Sequence, residues 1–115
     1  MSRTILVVED DFLVALDITQ LLESHGWVVI GPAPSVKVAL DLLDAGLPSA
    51  ALLDVNLGKE MVTPVAEALK LAGVPFAVAS AYEKPEQFGG PVLTGAPTVG
   101  KPIKERRLLA ALAQL

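Results

Sequence analysis

The strongest constraint on the fold of this chain is a set of four short apolar segments that do not alternate with polar residues. They are residues 5–8, 28–30, 50–53 and 76–79, and each ends at a polar residue or a glycine. Such runs are typical of parallel strands that are buried on both faces. Segments with helical spacing of apolar residues lie between them, at 12–24, 35–45 and 64–72. The order predicts alternating strands and helices.

Residues at the ends of the helical segments agree with these boundaries. Gly26, Gly46 and Gly73 each follow a helical segment, where a left-handed cap is expected. Ser35 is expected to cap the second helix, and Pro64 fits the first turn of the third. The alternation of strands and helices is therefore supported by a second, independent signal.

The C-terminal third is less regular. Residues 83–97 contain so many prolines and glycines that we expect a loop instead of a full fourth helix, with at most one turn near 86–88. A short strand at 97–99 and a last helix within 103–115 follow. The predicted fold is α/β, an open, doubly wound parallel sheet of five strands.

Length, charge and composition exclude several classes of function. At 115 residues the chain suits one domain, and its net charge of −4 with a pI near 4.8 disfavours binding to nucleic acid or to an anionic membrane. The absence of cysteine and the single histidine exclude thiolate zinc sites and multi-histidine metal sites. No apolar run resembles a membrane span or a signal peptide, so we expect a cytoplasmic domain.

Polar residues follow the predicted strands at the points where they end. Glu9 and Asp10 follow the first strand, Asp54 the third, Ser80 the fourth and Lys101 the fifth. Ligands bind outside the carboxyl ends of parallel strands, so these side chains are expected at one rim. Crowded carboxylates need a cation, and Mg²⁺ accepts such oxygen ligands. With Lys101 and Ser80 opposite the metal, the set suits a phosphoryl group on Asp54, the natural nucleophile.

Four sequence motifs resemble the receiver domains of two-component response regulators, in order and over nearly the whole chain. They are ILVVEDD at 5–11, LLDVNL at 52–57, ASA at 79–81 and GKPI at 100–103. The resemblance implies one receiver domain over 1–115, with the flavodoxin-like strand order 2-1-3-4-5. In most of that family the peptide bond equivalent to Lys101–Pro102 is cis, which this sequence permits.

The resemblance also implies roles for individual residues. Asp54 would accept a phosphoryl group from the phosphohistidine of a sensor histidine kinase or phosphotransfer protein. Ser80 would be the switch hydroxyl and Lys101 would contact the phosphoryl oxygens. Mg²⁺ would be held by Glu9, Asp10, Asp54 and the backbone carbonyl of Asn56. Such a chain is a signalling switch and not a conventional enzyme; we expect no output domain within it and a separate downstream protein.

Two features depart from the common receiver pattern. Thr98 occupies the place of the usual aromatic switch residue, three positions before the lysine, so no aromatic ring can swing there. Tyr82 follows the switch hydroxyl by two residues, and the fourth helix is replaced by the loop. Both resemble a receiver subtype of alphaproteobacteria. We hypothesise that Tyr82 shields the aspartyl phosphate from water.

Other interpretations of single residues are structural. Asp11 is expected to cap the first helix or face solvent, and His25 to interact with that helix's carboxyl end. Trp27 is expected as a half-buried anchor, and Phe12 as a packing residue. The spacing of residues 95–101 resembles a phosphate-binding loop, but Pro102 stands where such a loop requires Ser or Thr.

Two other functions remain open from the sequence. One is an aspartate-nucleophile phosphatase of the dehalogenase type, although Asn56 occupies the position where that class has its acid/base Asp. The other is a receiver-like interaction module that is not phosphorylated, for which Thr98 and the missing helix are the arguments.

Overall fold

The computed structural model describes residues 3–58, 60–80 and 90–115. Five parallel strands form the main sheet, β1 to β5, in the order β2-β1-β3-β4-β5: Arg3–Val8, Trp27–Ala33, Ala50–Asp54, Phe76–Ser80 and Thr98–Gly100. The α-helices are α1, α2, α3 and a C-terminal helix: Phe12–Ser24, Val36–Ala45, Thr63–Leu71 and Glu105–Leu112. A small antiparallel hairpin pairs Asn56–Leu57 with Glu60–Met61. The predicted fold class and strand order are confirmed.

The sheet has a hydrophobic layer on each face, which explains why its central strands lack polar alternation. In β1, Ile5 and Val7 pack with α1 and the C-terminal helix, whereas Leu6 and Val8 pack with α2 and α3. All five residues of β3 and all five of β4 are buried. Helices on both faces therefore account for the continuous apolar runs.

Most of the predicted helix ends are confirmed. The Asp11 carboxylate accepts from the N–H groups of Leu13 and Val14, and the Ser35 hydroxyl accepts from Val38 N–H. Gly26 and Gly73 have φ values of +87° and +75°. The left-handed cap predicted at Gly46 is wrong, because its φ of 164° is extended backbone. The last helix is shorter than its apolar spacing suggested, beginning at Glu105 and ending at Leu112.

The buried face of α1 differs from the prediction. The core residues of this helix are Ala15, Ile18 and Leu22. Phe12, expected as a packing residue, is 76% exposed, and Leu13 is 69% exposed. The first turn therefore projects past the edge of the sheet, where no neighbouring element in the described part of the chain covers it.

The connection between α1 and β2 contacts both α1 and the C-terminal helix. Trp27 is half-buried, as expected, with the Arg3 guanidinium 4.4 Å from its ring centre. His25 Nδ1 lies 3.0 Å from the Leu21 carbonyl oxygen at the end of α1. Its Nε2 lies 3.2 Å from a carboxylate oxygen of Glu105. These contacts support the structural interpretation of His25.

The region of the expected loop is described from residue 90 onward. Pro91–Leu93 form a single 3₁₀ turn there, and Leu93 anchors it in the core. The helical turn suggested near 86–88 and the position of Tyr82 lie outside the described residues. No helix in the described part of the chain is long and apolar enough to cross a bilayer.

Candidate functional site

Three polar side chains are buried in the part of the chain that the structure describes. They are Glu9, Asp54 and Ser80, with relative exposures of 3%, 5% and 3%. Acidic residues are almost never fully buried without partners, because a charge leaves water at high cost. All three were predicted from their positions after apolar runs. Their burial sets them apart from ordinary surface acids at strand ends.

The parallel register brings these residues to one edge of the sheet. Asp54 is the last residue of β3 and lies beside Ala79 of β4, so Ser80 follows at the same edge. Glu9 comes directly after β1, which pairs with β3 through Val8 and Leu53. The carboxyl ends of the three central strands therefore form one rim.

Three carboxylates meet at this rim. One oxygen from each of Glu9, Asp10 and Asp54 lies within 4.8 Å of the others. Glu9 and Asp54 are buried, whereas Asp10 faces solvent. Hard carboxylate oxygens at such separations suit Mg²⁺, which commonly keeps several of its waters, and the exposed Asp10 leaves one side open to them. The donor set therefore fits the metal that the sequence predicted.

Lys101 lies between two of the carboxylates. Its Nζ is 3.1 Å from a Glu9 oxygen and 3.1 Å from an Asp54 oxygen, and its side chain is 28% exposed. Its backbone N–H donates to the Ser80 carbonyl at 3.2 Å, which fixes the segment against β4. Burial alone would lower the pKa of Lys101, but attraction to Asp54 and Glu9 outweighs it and raises that pKa. Lys101 is therefore held as a cation.

Glu9 is the carboxylate least favourably placed for carrying charge. Burial raises the pKa of Glu9, and its contact with Asp54 raises it further, against hydrogen bonds from Asp11 N–H and Lys101. The Asp11 N–H bond to Glu9 is 3.2 Å long. The site thus concentrates more negative charge than one lysine neutralises, which favours a second cation.

Two glycines that the sequence reasoning did not single out position the acids. Gly31 has a φ of +97°, and a Cβ there would lie 2.7 Å from Ala33 N and 3.1 Å from the Val7 carbonyl oxygen. The resulting irregularity in β2 lets the Ala33 carbonyl accept from Glu9 N–H at 3.0 Å. Gly58 also has a positive φ, +65°, and its Cβ position lies 3.4 Å from Asp10 Oδ2. The Gly–Pro pair inside β2 is the sequence signal that could have indicated this irregularity at Gly31.

The structure places two further predicted residues, Asn56 and Thr98, on different elements. Asn56 begins the small hairpin, two residues after Asp54 in the sequence. Thr98 is exposed at the start of β5, and its hydroxyl donates to the Ala96 carbonyl at 3.3 Å. The Lys101–Pro102 peptide bond is cis.

Comparisons with known proteins point to one family. No family model matches the chain. The phyllosphere-induced regulator PhyR of Methylorubrum extorquens is 34% identical over 125 residues, an alignment that covers 99% of this chain and 43% of PhyR. The chain thus spans less than half the length of that curated relative.

Solved structures agree over almost the whole chain. The BeF3-activated conformation of SdrG from Pseudomonas melonis is 34% identical, with a TM-score of 0.79, and the match covers 98% of this chain and 97% of SdrG. The PhyR receiver domain of Erythrobacter litoralis is 25% identical, with a TM-score of 0.81 and coverages of 98% and 88%. The chain therefore belongs to the receiver domains of two-component response regulators and is of the PhyR-like type.

Proposed function

We propose that this receiver domain accepts a phosphoryl group on Asp54 and passes on the signal as a change in its surface. The observation that carries the proposal is the convergence of the buried Glu9, Asp54 and Ser80 with Lys101 at one rim. A lone buried aspartate could be a structural residue. Burying two acids, a hydroxyl and a lysine together costs stability that a purely structural rim would not need.

The proposed reaction transfers phosphorus from nitrogen to oxygen. A carboxylate oxygen of Asp54 forms a bond to phosphorus while the bond to the imidazole nitrogen of a donor phosphohistidine breaks, and the imidazole keeps that electron pair. The Lys101 ammonium, already 3.1 Å from Asp54, balances charge on the phosphoryl oxygens. Ser80, at the end of the neighbouring strand, supplies a hydroxyl hydrogen bond.

We propose that Glu9, Asp10, Asp54 and the backbone carbonyl of Asn56 hold Mg²⁺. When bound, the metal supplies positive charge that offsets the incoming phosphoryl oxygens. Glu9 and Asp10 would share their negative charge with the metal, and Lys101, at 3.1 Å from Asp54, would remain to balance charge on the phosphoryl group. The donor is a histidine kinase or phosphotransfer protein, and the switched surface is recognised by another protein.

Beryllofluoride binding tests the acceptor role directly. SdrG has a BeF3-activated conformation, and we expect this chain to respond to the same phosphoryl analogue. With Mg²⁺ present, amide resonances around residues 54, 80 and 101 should shift on addition of beryllofluoride. Without Mg²⁺ they should not. The Asp54→Asn variant should show no such shifts and should incorporate no acid-labile phosphate from acetyl phosphate.

The Asp44→Asn variant provides the matched control. Asp44 is an exposed acid on α2, so its replacement removes the same charge away from the rim. It should bind beryllofluoride as the parent does. Shifts that persist in Asp54→Asn, or shifts that do not need Mg²⁺, would contradict the proposal. A folded Asp54→Asn protein that still recruits the same partner would favour the interaction module that is not phosphorylated.

A further inference from the structure

A cavity with a volume of about 270 Å³ lies beside the acidic rim, between α1 and the end of β2. This volume is close to the ~300 Å³ at which small-molecule sites begin. The lining of the cavity is mainly apolar, but Glu9 and Asp10 border it as well. The phosphoryl transfer proposed above uses these two acids and none of the apolar lining, so that reaction does not account for the cavity.

One wall of the cavity is a stripe of exposed apolar side chains on α1. Phe12 and Leu16 lie four residues apart and hence on one face of the helix, and they are 76% and 41% exposed. Leu13 is similarly exposed, at 69%, but does not border the cavity. Large apolar side chains that lie together in solvent are characteristic of surfaces that bind apolar groups.

The opposite wall of the cavity is rigid. Pro32 and Pro34 form it, and a proline ring fixes the φ angle of the backbone. Ala33 between them is buried, and its carbonyl accepts from Glu9 N–H at 3.0 Å. The backbone that positions Glu9 therefore also holds this wall in place, and an occupant does not have to order it on binding.

Thr19 borders the cavity farther along α1 from the rim. Its hydroxyl oxygen is shielded from solvent and has no hydrogen-bond partner among the described residues, which is unfavourable for a polar atom. Threonine populates two χ1 rotamers in helices, so a rotation of this side chain brings the hydroxyl group to the cavity. A polar atom of an occupant can then supply the missing hydrogen bond.

We infer that this cavity binds a small amphiphilic amine, an organic cation with an apolar body and a hydroxyl group at its far end. The ammonium group pairs with Asp10 and Glu9, because the carboxylates at the rim outnumber Lys101. The apolar body packs between the two walls, and the hydroxyl group pairs with Thr19. Phe12 and Thr19 are roughly 10 Å apart along the helix axis, a length that suits one aromatic ring with a short side chain.

Tyramine is the probe for this site, because it combines an ammonium group, one aromatic ring and a hydroxyl group. Titrated into the full chain with a chelator present, it should bind saturably and shift the amide resonances of residues 9–19 and 31–35. Phenethylamine, which lacks the hydroxyl group, should bind about threefold to tenfold more weakly. Tyrosol, in which a neutral alcohol replaces the ammonium group, should bind at least about tenfold more weakly. Equal binding of tyramine and tyrosol, or no saturable binding of tyramine, would overturn the inference.

Variants with matched controls locate the ligand. Phe12→Ala should weaken tyramine binding about tenfold, whereas Leu13→Ala, at an exposed apolar position outside the cavity, should stay within about threefold of the parent. Asp10→Asn should weaken binding by a similar factor, whereas Asp17→Asn, which removes the same charge from an exposed position on α1, should not. Thr19→Val keeps the shape of the side chain and should abolish the preference for tyramine over phenethylamine. Circular dichroism should show all five variants folded. Equal losses in a variant and its control, or shifts centred on other residues, would contradict the inference.

Competition with Mg²⁺ is a further test, which rests on the proposed metal site. The same two carboxylates, Asp10 and Glu9, would hold the metal and pair with the ammonium group, so Mg²⁺ should weaken tyramine binding more than K⁺ does at equal ionic strength. Tyramine binding that follows the variants but is unaffected by Mg²⁺ would support the cavity and contradict the metal site.

Discussion

Lys101 lies only a few residues from three other cations, Lys104, Arg106 and Arg107, yet their surroundings are opposite. Lys101 is half-buried and contacts two carboxylates at 3.1 Å, whereas Lys104, Arg106 and Arg107 are exposed, and no ion pair or hydrogen bond of their side chains is found among the described residues. The carboxylates that Lys101 contacts, Glu9 and Asp54, are buried, so their charge has to be compensated inside the protein. An exposed charge carries no such requirement. The position of Lys101 is therefore tied to the stability of the fold, whereas the three exposed cations are solvated by water.

Removing Lys101 should have the largest effect. In Lys101→Met, Glu9 and Asp54 stay buried without their counter-charge, so metal-free protein should lose roughly 3 kcal/mol of unfolding free energy in urea. The loss should shrink when Mg²⁺ is added, because a second cation then compensates the acids.

Lys104→Met is the matched control for that comparison. It removes the same charge from a long side chain three residues away, but an exposed one, and should change the unfolding free energy by less than about 0.5 kcal/mol. Similar losses in the two variants would show that the ion pairs at the rim contribute no more than a surface charge.

Neutralising Glu9 should have a smaller effect, of the opposite sign, in metal-free protein. Burial raises the pKa of Glu9 above its ordinary 4.5, so the folded state binds more protons than the unfolded state between the two values. The unfolding free energy contributed by Glu9 is thus largest below pH 4.5 and falls as pH rises through the folded pKa. At neutral pH, Glu9→Gln should be more stable than the parent by on the order of 1 kcal/mol.

The pH profile of stability distinguishes this cause from a general charge effect. The advantage of Glu9→Gln should disappear towards pH 4, when measured in the presence of a chelator. Glu23→Gln, which replaces an exposed acid near the end of α1, should leave the stability unchanged at both pH values. A Glu9→Gln protein that is less stable than the parent at neutral pH would contradict the conclusion that the charged form of Glu9 destabilises the folded state.

The position of the rim could be predicted from the sequence because parallel strands end at one edge. Each polar residue after an apolar run, from Glu9 to Lys101, is placed there by topology alone. The contribution of Gly31 needed the three-dimensional register, since only the contact with Ala33 and Val7 shows why that backbone carries no side chain. The resemblance to receiver domains added roles, and these remain predictions.

The exposure of individual side chains was the property that the sequence predicted least well. Phe12 and Leu13 have the spacing of core residues, but α1 buries Ala15 and Ile18 against the sheet and leaves the two larger side chains in solvent. Helical periodicity identifies an apolar stripe without saying where the sheet ends beneath it. The pairing of Glu105 was missed for a similar reason: the sequence shows the charges, but only the fold shows that Glu105 contacts His25.

Neutralising one exposed cation should have the smallest effect and should stabilise the chain. Arg106 lies in the first turn of the C-terminal helix, where the helix N-terminus carries partial positive charge, so Arg106→Gln relieves this repulsion and should raise the unfolding free energy by ~0.3–0.5 kcal/mol at low salt. Lys37→Gln, which breaks the Lys37–Asp41 pair, should lower it by a similar amount. Both differences should shrink in high salt. A destabilised Arg106→Gln would mean that the charge of Arg106 is compensated within the chain, and its contrast with Lys101 would disappear.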